Sequence, residues 1–318
     1  MTAGIINVNK PADWTSHDCV AVMRKVLGIK KVGHTGTLDP MATGVLPVCV
    51  GSATRIMEYL DLDFKTYECE MELGLESDTL DIWGEVTSRA EAVCVNEEQV
   101  RQAFASFSGR VSQIPPKFSA LKVDGKKLYQ YARAGEEVEI KPRDIFIQEL
   151  KILKMDLENR KIIWQVTCSK GTYIRSICRD VGRLLGCGAV MSGLRRLSSG
   201  VFSIEQAVDI RDIREMDREE VEKLLLAIDY PLVHFGKAVL NKKQAQIFCN
   251  GGHIVPQETV VEKKPIFESQ EPHISVRPQL RRAYNMYLRD GREERFLGVA
   301  FYNAKYKTFA ADKVFYRG

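Results

Sequence analysis

The chain has 318 residues, of which 45% are hydrophobic and 28% are charged, as in an ordinary soluble globular protein long enough for two domains. Its N-terminus shows no basic start followed by a long apolar stretch, and no apolar run is long enough to cross a membrane, so we expect neither a signal peptide nor a membrane partner. The net charge of +4 is too small to identify a partner by itself.

The first elements in the chain are a helix, a glycine-rich stretch and a buried strand. Ser16 can cap a helix that runs to about Leu27, and its apolar face carries residues of helical spacing (Cys19, Val20, Met23, Leu27). Residues 33–44 contain three glycines and lead into the apolar run 45–50, which predicts a buried strand.

Residues 65–73 alternate strictly between apolar and acidic side chains. Tyr67, Cys69 and Met71 share one face with Leu73, whereas the glutamates lie on the other. This period of two predicts a strand with one buried and one solvated side.

Residues 115–143 are predicted to project from the core. Prolines bracket the segment, and its first half carries five basic residues and one acidic residue between Lys117 and Arg133, with aromatic residues among them. Such a composition suits RNA, because phosphates attract the cations and bases stack on the rings. An ordinary solvated hairpin explains the same composition.

Further strands and helices follow. Residues 162–169 alternate again, and a helix with one apolar face is predicted over 172–185. Ser203 and Gln206 have the spacing of a capping box, which predicts a helical region to about Ala227. One-sided strands mixed with helices favour an α+β fold over a doubly wound parallel sheet.

The C-terminal part is predicted to be a small separate domain that begins near Pro231. Residues 256–282 predict a long loop, and 296–303 with 307–316 predict a closing β-hairpin. Residues 237–318 contain fifteen Lys/Arg against eight Asp/Glu. This local excess indicates a polyanionic partner, although an unevenly charged surface would look the same.

The eight cysteines form no C-x-x-C pair, and several occupy apolar strand or helix positions. A disulfide framework is therefore not expected in a chain of this size, and the sequence offers no zinc ligand cluster. We predict a reducing, cytoplasmic compartment.

The glycine-rich stretch holds the most specific chemical signal. Pro40 keeps the preceding Asp39 out of helical backbone, so one carboxylate stands on a constrained loop beside a buried strand. Because Asp, Pro and Gly are also the commonest turn residues, the same run could be no more than a turn.

Several motifs occur in an order that resembles the bacterial tRNA pseudouridine synthase family known as TruB. They are a lysine and histidine motif at 9–17, GHTGTLDPMATGVLPV at 33–48, Lys-x-Tyr at 65–67 with Leu-Gly at 73–74, CSKGTYIR at 168–175 and LRRL at 194–197. The resemblance covers roughly residues 4–230, and it is weaker from 237 to the end.

The resemblance implies three catalytic residues. Asp39 would act as the nucleophile or general base that starts cleavage of the glycosidic bond. Arg175, in the first turn of its helix, would pair with Asp39, and the helix N-terminus would also favour an anion nearby. Tyr67 would pack on the target base, although a tyrosine on an apolar strand face is also a typical core residue.

The resemblance also implies substrate contacts. His34 would displace the target nucleotide from the RNA stack, and Leu197 would line the uracil pocket. Thr37 belongs to the loop motif and is expected to contact substrate. Lys10, with His17, belongs to the N-terminal motif and is expected to act as scaffold or RNA contact.

The family further implies a fold, a partner and a reaction. The expected fold is a pseudouridine synthase domain over 1–231, a mixed and mainly antiparallel sheet with a thumb-like insertion at about 115–143. A small β-rich, PUA-like RNA-binding domain is expected over 232–318. The substrate would be the T arm and elbow of tRNA, with uridine 55 of the T loop as the target. No cofactor and no metal are expected, because an isomerisation needs no redox partner, and we expect a monomer.

Two alternatives remain open. A non-catalytic RNA-binding or tRNA-folding protein would explain the basic regions but would not need Asp39, Arg175 and Tyr67 together. A guide-RNA-directed relative would keep the chemistry and change the substrate. The basic and aromatic segment 115–143 favours a stand-alone enzyme that makes its own RNA contacts.

Overall fold

A computed structural model of the protein describes residues 2–62, 64–269 and 277–316. The first fourteen strands are β1 (Gly4–Lys10), β2 (Val32–His34), β3 (Thr43–Val50), β4 (Lys65–Leu73), β5 (Leu75–Ser77), β6 (Val86–Arg89), β7 (Gly109–Gln113), β8 (Lys122–Val123), β9 (Lys126–Lys127), β10 (Arg143–Asp156), β11 (Lys161–Cys168), β12 (Ala189–Ser199), β13 (Phe202–Ser203) and β14 (Val208–Asp209). The strands that follow are β15 (Gly236–Leu240), β16 (His253–Ile254), β17 (Val260–Lys263), β18 (Ala283–Asp290), β19 (Glu293–Asn303) and β20 (Thr308–Val314).

The helices lie between these strands. The α-helices are α1 (Ser16–Leu27), α2 (Glu97–Ala105), α3 (Leu128–Arg133), α4 (Ile174–Leu184), α5 (Ile210–Glu215), α6 (Arg218–Lys223), α7 (Lys242–Cys249) and α8 (Ile266–Ser269). A long 3₁₀ segment spans Gly51–Leu62, and shorter ones span Ile204–Gln206, Pro256–Glu258 and Pro278–Arg282. No helix of the described ranges is both long and apolar enough to cross a membrane.

The larger sheet is mixed and mainly antiparallel. Its strands follow the order β14-β1-β3-β12-β4-β11-β10-β7, with β2 on β3 and β13 on β12. Only the β1–β14 and β3–β12 pairs are parallel. Helices pack against this mixed sheet, so the predicted α+β class is confirmed.

Strand β4 occupies the bounds and the face predicted from its alternation. Tyr67, Cys69, Met71 and Leu73 are buried, while the glutamates between them are partly exposed. The strand pairs with β11 on one side and β12 on the other, which places Tyr67 in the middle of the sheet.

Helix α1 has the predicted length and buried face, but its cap differs by one residue. The N-cap is Thr15, whose side chain accepts from the backbone N–H of Asp18 in a reciprocal capping box. Ser16 lies inside the first turn, and its hydroxyl is used by the loop around residue 38.

The helical region predicted from Ser203 to Ala227 is wrong in its first half. Ser203 makes no side-chain cap bond, and the 3₁₀ turn that follows ends at Gln206. Strand β14 then pairs with the edge of β1, which takes these residues out of any helix. The helices α5 and α6 begin later, capped by Asp209 and Asp217.

The second sheet is smaller and lies in the C-terminal part. Its order is β16-β20-β19-β18-β15-β17, and the predicted closing hairpin is confirmed as β19 and β20. The predicted long loop at 256–282 is wrong in part, because β17 and α8 lie within it. Residues 270–276 of that prediction lie outside the described residues.

The two sheets share an apolar core. Ile5, Val45 and Cys49 of the larger sheet pack in one cluster with Val299 of the smaller sheet and with Phe235, which directly precedes β15. Polar bonds flank this core, since the hydroxyl of Tyr59 donates to Asp312 and Arg55 Nη1 donates to the carbonyl of Val314 at 2.7 Å. Ion pairs from Glu58 to Arg277 and Lys313 add to them. We call this set of contacts the inter-sheet core.

The predicted excursion at 115–143 contains little regular structure. It holds the short ladder of β8 with β9 and the helix α3. Three of its cations lie over its own rings: Lys126 Nζ is 4.4 Å from the centre of Tyr131, and Lys127 and Arg133 lie over Tyr129. The segment therefore presents basic and aromatic groups together.

Candidate active site

The loop that carries Asp39 is anchored on both sides of that residue. We call residues 36–44 the Asp39 loop. The hydroxyl of Ser16 bonds to both the backbone N–H and the carbonyl of Leu38, and the carbonyl of Pro40 accepts from Lys10 and Asp13. A turn bond from Ala42 N–H to the Asp39 carbonyl closes the loop. The carboxylate itself is 36% exposed and reaches a cavity.

Arg175 forms the charge partner of Asp39. It is the second residue of α4, and the helix holds its guanidinium against the Asp39 carboxylate, with Nη2 3.0 Å from Oδ2. The same side chain donates to the carbonyls of Thr79 at 2.9 Å and Phe118 at 3.1 Å. Because Arg175 is 9% exposed, these contacts fix its orientation tightly.

Asp81 is a second carboxylate at this arginine, and the sequence analysis missed it. Its Oδ2 lies 3.5 Å from Arg175 Nη1, and its Oδ1 accepts from the Thr79 hydroxyl and the backbone N–H of Trp83. Burial raises the pKa of Asp81, while the Thr79 bond and Arg175 act in the opposite direction. Asp81 precedes Arg175 by 94 residues and forms only an isolated bridge with Met191, so no local pattern marks it.

A cavity of about 380 Å³ opens beside the carboxylate. This volume lies within the range of small-ligand sites. Tyr67 contributes its ring to the wall, with Thr37 and Leu194 nearby. Burial raises the pKa of the Tyr67 hydroxyl, so the side chain is a neutral phenol at physiological pH. Asp39, Arg175, Tyr67 and Thr37 thus meet at one cavity.

His34 lies close to this cavity but is not among the residues that line it. Its ring meets the ring of His17 edge to face at 5.3 Å, and its Nδ1 accepts from Gly36 N–H at 3.4 Å. Burial lowers the pKa of His34 to about 4, with His17 and Arg196 adding to the effect. His34 is therefore an uncharged, half-buried ring at the rim of the Asp39 loop.

This lowered pKa predicts a pH-dependent loss of stability. Below pH 6.5 the unfolded chain protonates His34 while the folded chain does not until about pH 4, so acid favours unfolding through this window. Between pH 6.5 and 4, the wild-type free energy of unfolding should fall by about 2–3 kcal/mol more than that of His34→Gln. Denaturant unfolding at several pH values measures this difference. His253→Gln, at an exposed histidine, should follow the wild type, and parallel wild-type and His34→Gln curves would contradict the prediction.

Lys10 fits the first of its two predicted roles, scaffold, and is not available for the second, a contact with RNA. It is completely buried, and its ammonium donates to three backbone carbonyls, those of Pro11, Trp14 and Pro40. Three donors meet three acceptors, so the ammonium is satisfied inside the protein. Burial lowers its pKa to about 8, which still leaves it mostly charged at pH 7. Lys10 holds the residue that follows Asp39.

Removing this ammonium should destabilise the fold. Lys10→Met removes the ammonium from three carbonyls, of which that of Pro40 keeps its bond from the Asp13 N–H, and we expect a loss of about 2–4 kcal/mol in the free energy of unfolding. The exposed Lys30→Met serves as the control and should change stability by less than about 0.5 kcal/mol. Urea titrations compare the two variants. Equal stability of Lys10→Met and wild type would show that these carbonyls do not depend on Lys10.

Leu197 was predicted to line the pocket, but the structure places two other residues of the same motif there. Leu194 and Arg196 line the cavity, whereas Leu197 is half-buried and is not among its lining residues. The reason is the period of two along β12, which points alternate side chains to one face. A bulge after Arg196 further alters the register at Leu197.

The arrangement can support chemistry that begins with a carboxylate. One anion is paired with one cation at the wall of a cavity, and an aromatic ring lines the same cavity. A flat ring with polar edges could stack on Tyr67 while its attached sugar faces Asp39. Within the described ranges no group of His, Cys, Asp and Glu has the arrangement of a metal site.

Two family models match the chain over adjacent segments. Residues 24–174 match the N-terminal domain of TruB family pseudouridylate synthase, and residues 175–233 match the C-terminal domain of tRNA pseudouridylate synthase B. The Asp39 loop and Tyr67 lie in the first match, and Arg175 opens the second.

Curated relatives match over most of their length. The tRNA pseudouridine synthase B of Alkaliphilus oremlandii (strain OhILAs) is 47% identical over 251 residues, which cover 79% of this chain and 82% of the relative. The enzyme of the same name from Clostridium novyi (strain NT) is 39% identical over 302 residues, 95% of this chain and 96% of the relative.

Solved structures confirm the predicted pseudouridine synthase fold. A chain from the structure of an H/ACA RNP bound to a substrate RNA containing 2'-deoxyuridine has a TM-score of 0.71 and 22% identity, covering 99% of this chain and 85% of that one. A chain from a Cbf5-Nop10-Gar1 complex has a TM-score of 0.70 and 23% identity, covering 98% and 84%. The solved structures show the fold, and the sequence matches show the family. This chain belongs to the TruB family of pseudouridylate synthases.

Proposed function

We propose that this enzyme converts uridine 55 in the T loop of tRNA to pseudouridine. The observation that carries the proposal is the Asp39–Arg175 pair at a cavity walled by Tyr67. The curated relatives are named tRNA pseudouridine synthases, which supports tRNA as the substrate class. The T arm and elbow are the part of tRNA that the sequence resemblance implies.

The target uridine must leave its stack to reach this cavity, at a cost of about a few kcal/mol. In the proposed reaction its base enters the cavity and packs on the ring of Tyr67. The carboxylate of Asp39 initiates cleavage of the bond between uracil N1 and the ribose C1'. The uracil then turns, and its C5 forms the new bond to C1'. C5 loses its proton, and N1 gains one. No atom is gained or lost, so the reaction needs no co-substrate.

Charge placement supports this assignment of roles. Arg175 would hold Asp39 in one position, and Asp81 would hold Arg175 from its far side. His34, uncharged at neutral pH, would act as a wedge beside the vacated stack. Thr37 is exposed at the cavity and would contact the RNA, and Leu194 would replace Leu197 as the apolar wall for the base.

The RNA grip would come from two further regions. Segment 115–143 would act as a thumb-like insertion of a catalytic domain over 1–231, and residues 232–318 would form a PUA-like RNA-binding domain. Ion pairs occupy several of the C-terminal cations, because Lys237 and Arg289 pair with Glu262 and Glu294. Both glutamates are among the eight acidic residues of 237–318, so these pairs leave the basic excess of the segment unchanged. We propose that the enzyme acts as a monomer.

The direct test is to incubate the purified protein with an unmodified tRNA transcript and to map pseudouridine along it. We expect one modified position, uridine 55, without added protein, guide RNA or cofactor. A transcript with cytidine at this position should stay unmodified and still bind. Modification at another position would overturn the assigned target. Binding without any pseudouridine would favour an RNA-binding or tRNA-folding protein, and a requirement for guide RNA would favour the guide-directed alternative.

A further inference from the structure

Arg196 is a buried arginine that joins separate parts of the candidate site. It is 1% exposed, and its side chain lies between the sheet and the Asp39 loop. Its Nε donates to the carbonyl of Val45 at 2.5 Å, and its Nη2 donates to the carbonyl of Gly36 at 3.1 Å. Gly36 is the first residue of the Asp39 loop, and Val45 follows the last. One guanidinium therefore binds both ends of the loop.

The two glycines that bound the loop lie directly against this residue. A Cβ atom at Gly36 would lie 3.5 Å from the Nη1 of Arg196, and one at Gly44 would lie 2.2 Å from its carbonyl oxygen. Gly44 also has a φ of +101°, which other residues rarely adopt. The backbone of Arg196 pairs with Gly44 in the parallel contact between β12 and β3. Backbone and side chain of Arg196 thus both fix the loop.

Arg196 is also a direct neighbour of Tyr67. On the other edge of β12 it is the cross-strand partner of Tyr67. The positive charge of Arg196 opposes the burial that raises the pKa of the Tyr67 hydroxyl, and both side chains line the cavity. The loop and the ring come from β2–β3 and β4, so this arginine connects three strands at one point.

Arg196 is a buried cation whose charge is not balanced by an ion pair with a described residue. None of the ion pairs among residues 2–62, 64–269 and 277–316 includes it, although a buried cation normally requires a carboxylate. Two backbone carbonyl oxygens take its place, and they accept from two different nitrogens of the guanidinium. Lysine carries its donors on one nitrogen and cannot reproduce these two bonds. The chain therefore needs arginine here for its shape.

We propose that Arg196 is a positioning residue, which holds the Asp39 loop closed at both ends and fixes Tyr67 in the cavity that Asp39 also lines. Its effect on loop order stands on the contacts above. Its effect on the reaction rests on the proposed function. The two parts are tested by separate measurements.

The test uses Arg196→Lys in the full chain, with Arg195→Lys as the matched control. Arg195 is the exposed neighbour on the same strand, so the control makes the same change outside the cavity. Hydrogen exchange of the free proteins reports loop order through the amides of Leu38 and Ala42, which are bonded to Ser16 and Asp39. In Arg196→Lys we expect these amides to exchange at least tenfold faster, and amides of β11 to keep their rates. Arg195→Lys should match the wild type.

Single-turnover kinetics on the tRNA transcript test the second part. At saturating RNA, Arg196→Lys should form pseudouridine at least roughly thirtyfold more slowly, while its Kd for RNA changes less than about threefold. A residue needed only for folding would not separate rate from affinity in this way. Unchanged exchange at Leu38 and Ala42 would overturn the role in the loop. Faster exchange with a saturating rate within twofold of wild type would overturn the role in the reaction. If the wild type itself makes no pseudouridine, the proposed function fails, and the exchange measurement still decides whether Arg196 fixes the loop.

Discussion

Asp39→Asn is expected to reduce pseudouridine formation to below about one per cent of the wild-type rate, while RNA affinity stays within about tenfold. The change keeps the size of the side chain and removes its negative charge, so the nucleophile or base is lost and the loop keeps its shape. Because Ser16 and Lys10 hold the residues on either side through backbone atoms, the substitution does not disturb the anchors of the loop. A loss of this size, at least about 2.7 kcal/mol in the barrier, is typical of a group that acts on the reacting atoms.

The control for this experiment is Asp13→Asn. Asp13 is an exposed carboxylate whose backbone N–H bonds to the carbonyl of Pro40, so it adjoins the same loop. Its φ of +65° suits Asn as well as Asp, and the variant should fold and react normally. Rates are measured under single-turnover conditions on one transcript, with affinity measured by filter binding. Turnover above one per cent in Asp39→Asn would remove Asp39 from its assigned role.

Arg175→Lys is expected to lower the single-turnover rate by about a hundredfold and to leave the protein folded. The guanidinium reaches Asp39 and Asp81 through different nitrogens, and it donates to two carbonyls as well. An ammonium carries the same charge but has only one nitrogen, so it can approach one carboxylate only by leaving the other. A carboxylate displaced by about 1 Å from its reacting position is enough for a loss of this size.

Arg183→Lys is the matched control, since Arg183 is exposed on the same helix two turns later. Its rate should stay within about threefold of wild type. Asp81→Asn adds an independent measure, because it leaves Asp39 and Arg175 in place and weakens only the far side of the arrangement. We expect the single-turnover rate of Asp81→Asn to lie between those of Arg183→Lys and Arg175→Lys. If Arg175→Lys reacted as fast as Arg183→Lys, the pairing of Arg175 with Asp39 would have no part in the reaction.

Local pattern was sufficient for elements whose surroundings follow from their own residues. The alternation in 65–73 gave both the bounds of β4 and the buried face of Tyr67, because a strand inside a sheet repeats every two residues. The helix at Arg175 followed from apolar spacing in the same way. The positions of Tyr67 and Arg175 could therefore be predicted from the sequence.

Long-range contacts explain what the sequence did not reveal. Ser203 has the spacing of a cap, yet pairing of Val208 with β1 prevents the helix from starting there. Asp81 gains its importance from Arg175, which lies far away in sequence. Lys10 resembles an exposed RNA contact until the fold surrounds it with carbonyls. In each case the deciding neighbour is set by topology, which local spacing does not contain.

The inter-sheet core has a consequence for how the enzyme selects its substrate. Apolar packing and polar bonds join the sheet that carries the Asp39 loop to the sheet formed by the C-terminal strands, so the separation between them is fixed. If an RNA engages both surfaces, the distance between its reacting uridine and its contact with the C-terminal strands must match the fixed distance between the two sheets. An RNA stem shortened or lengthened by one base pair would keep every chemical group that the protein contacts. It would still be unable to engage both surfaces at the same time. The enzyme would then select its substrate by the distance between two RNA elements as well as by sequence.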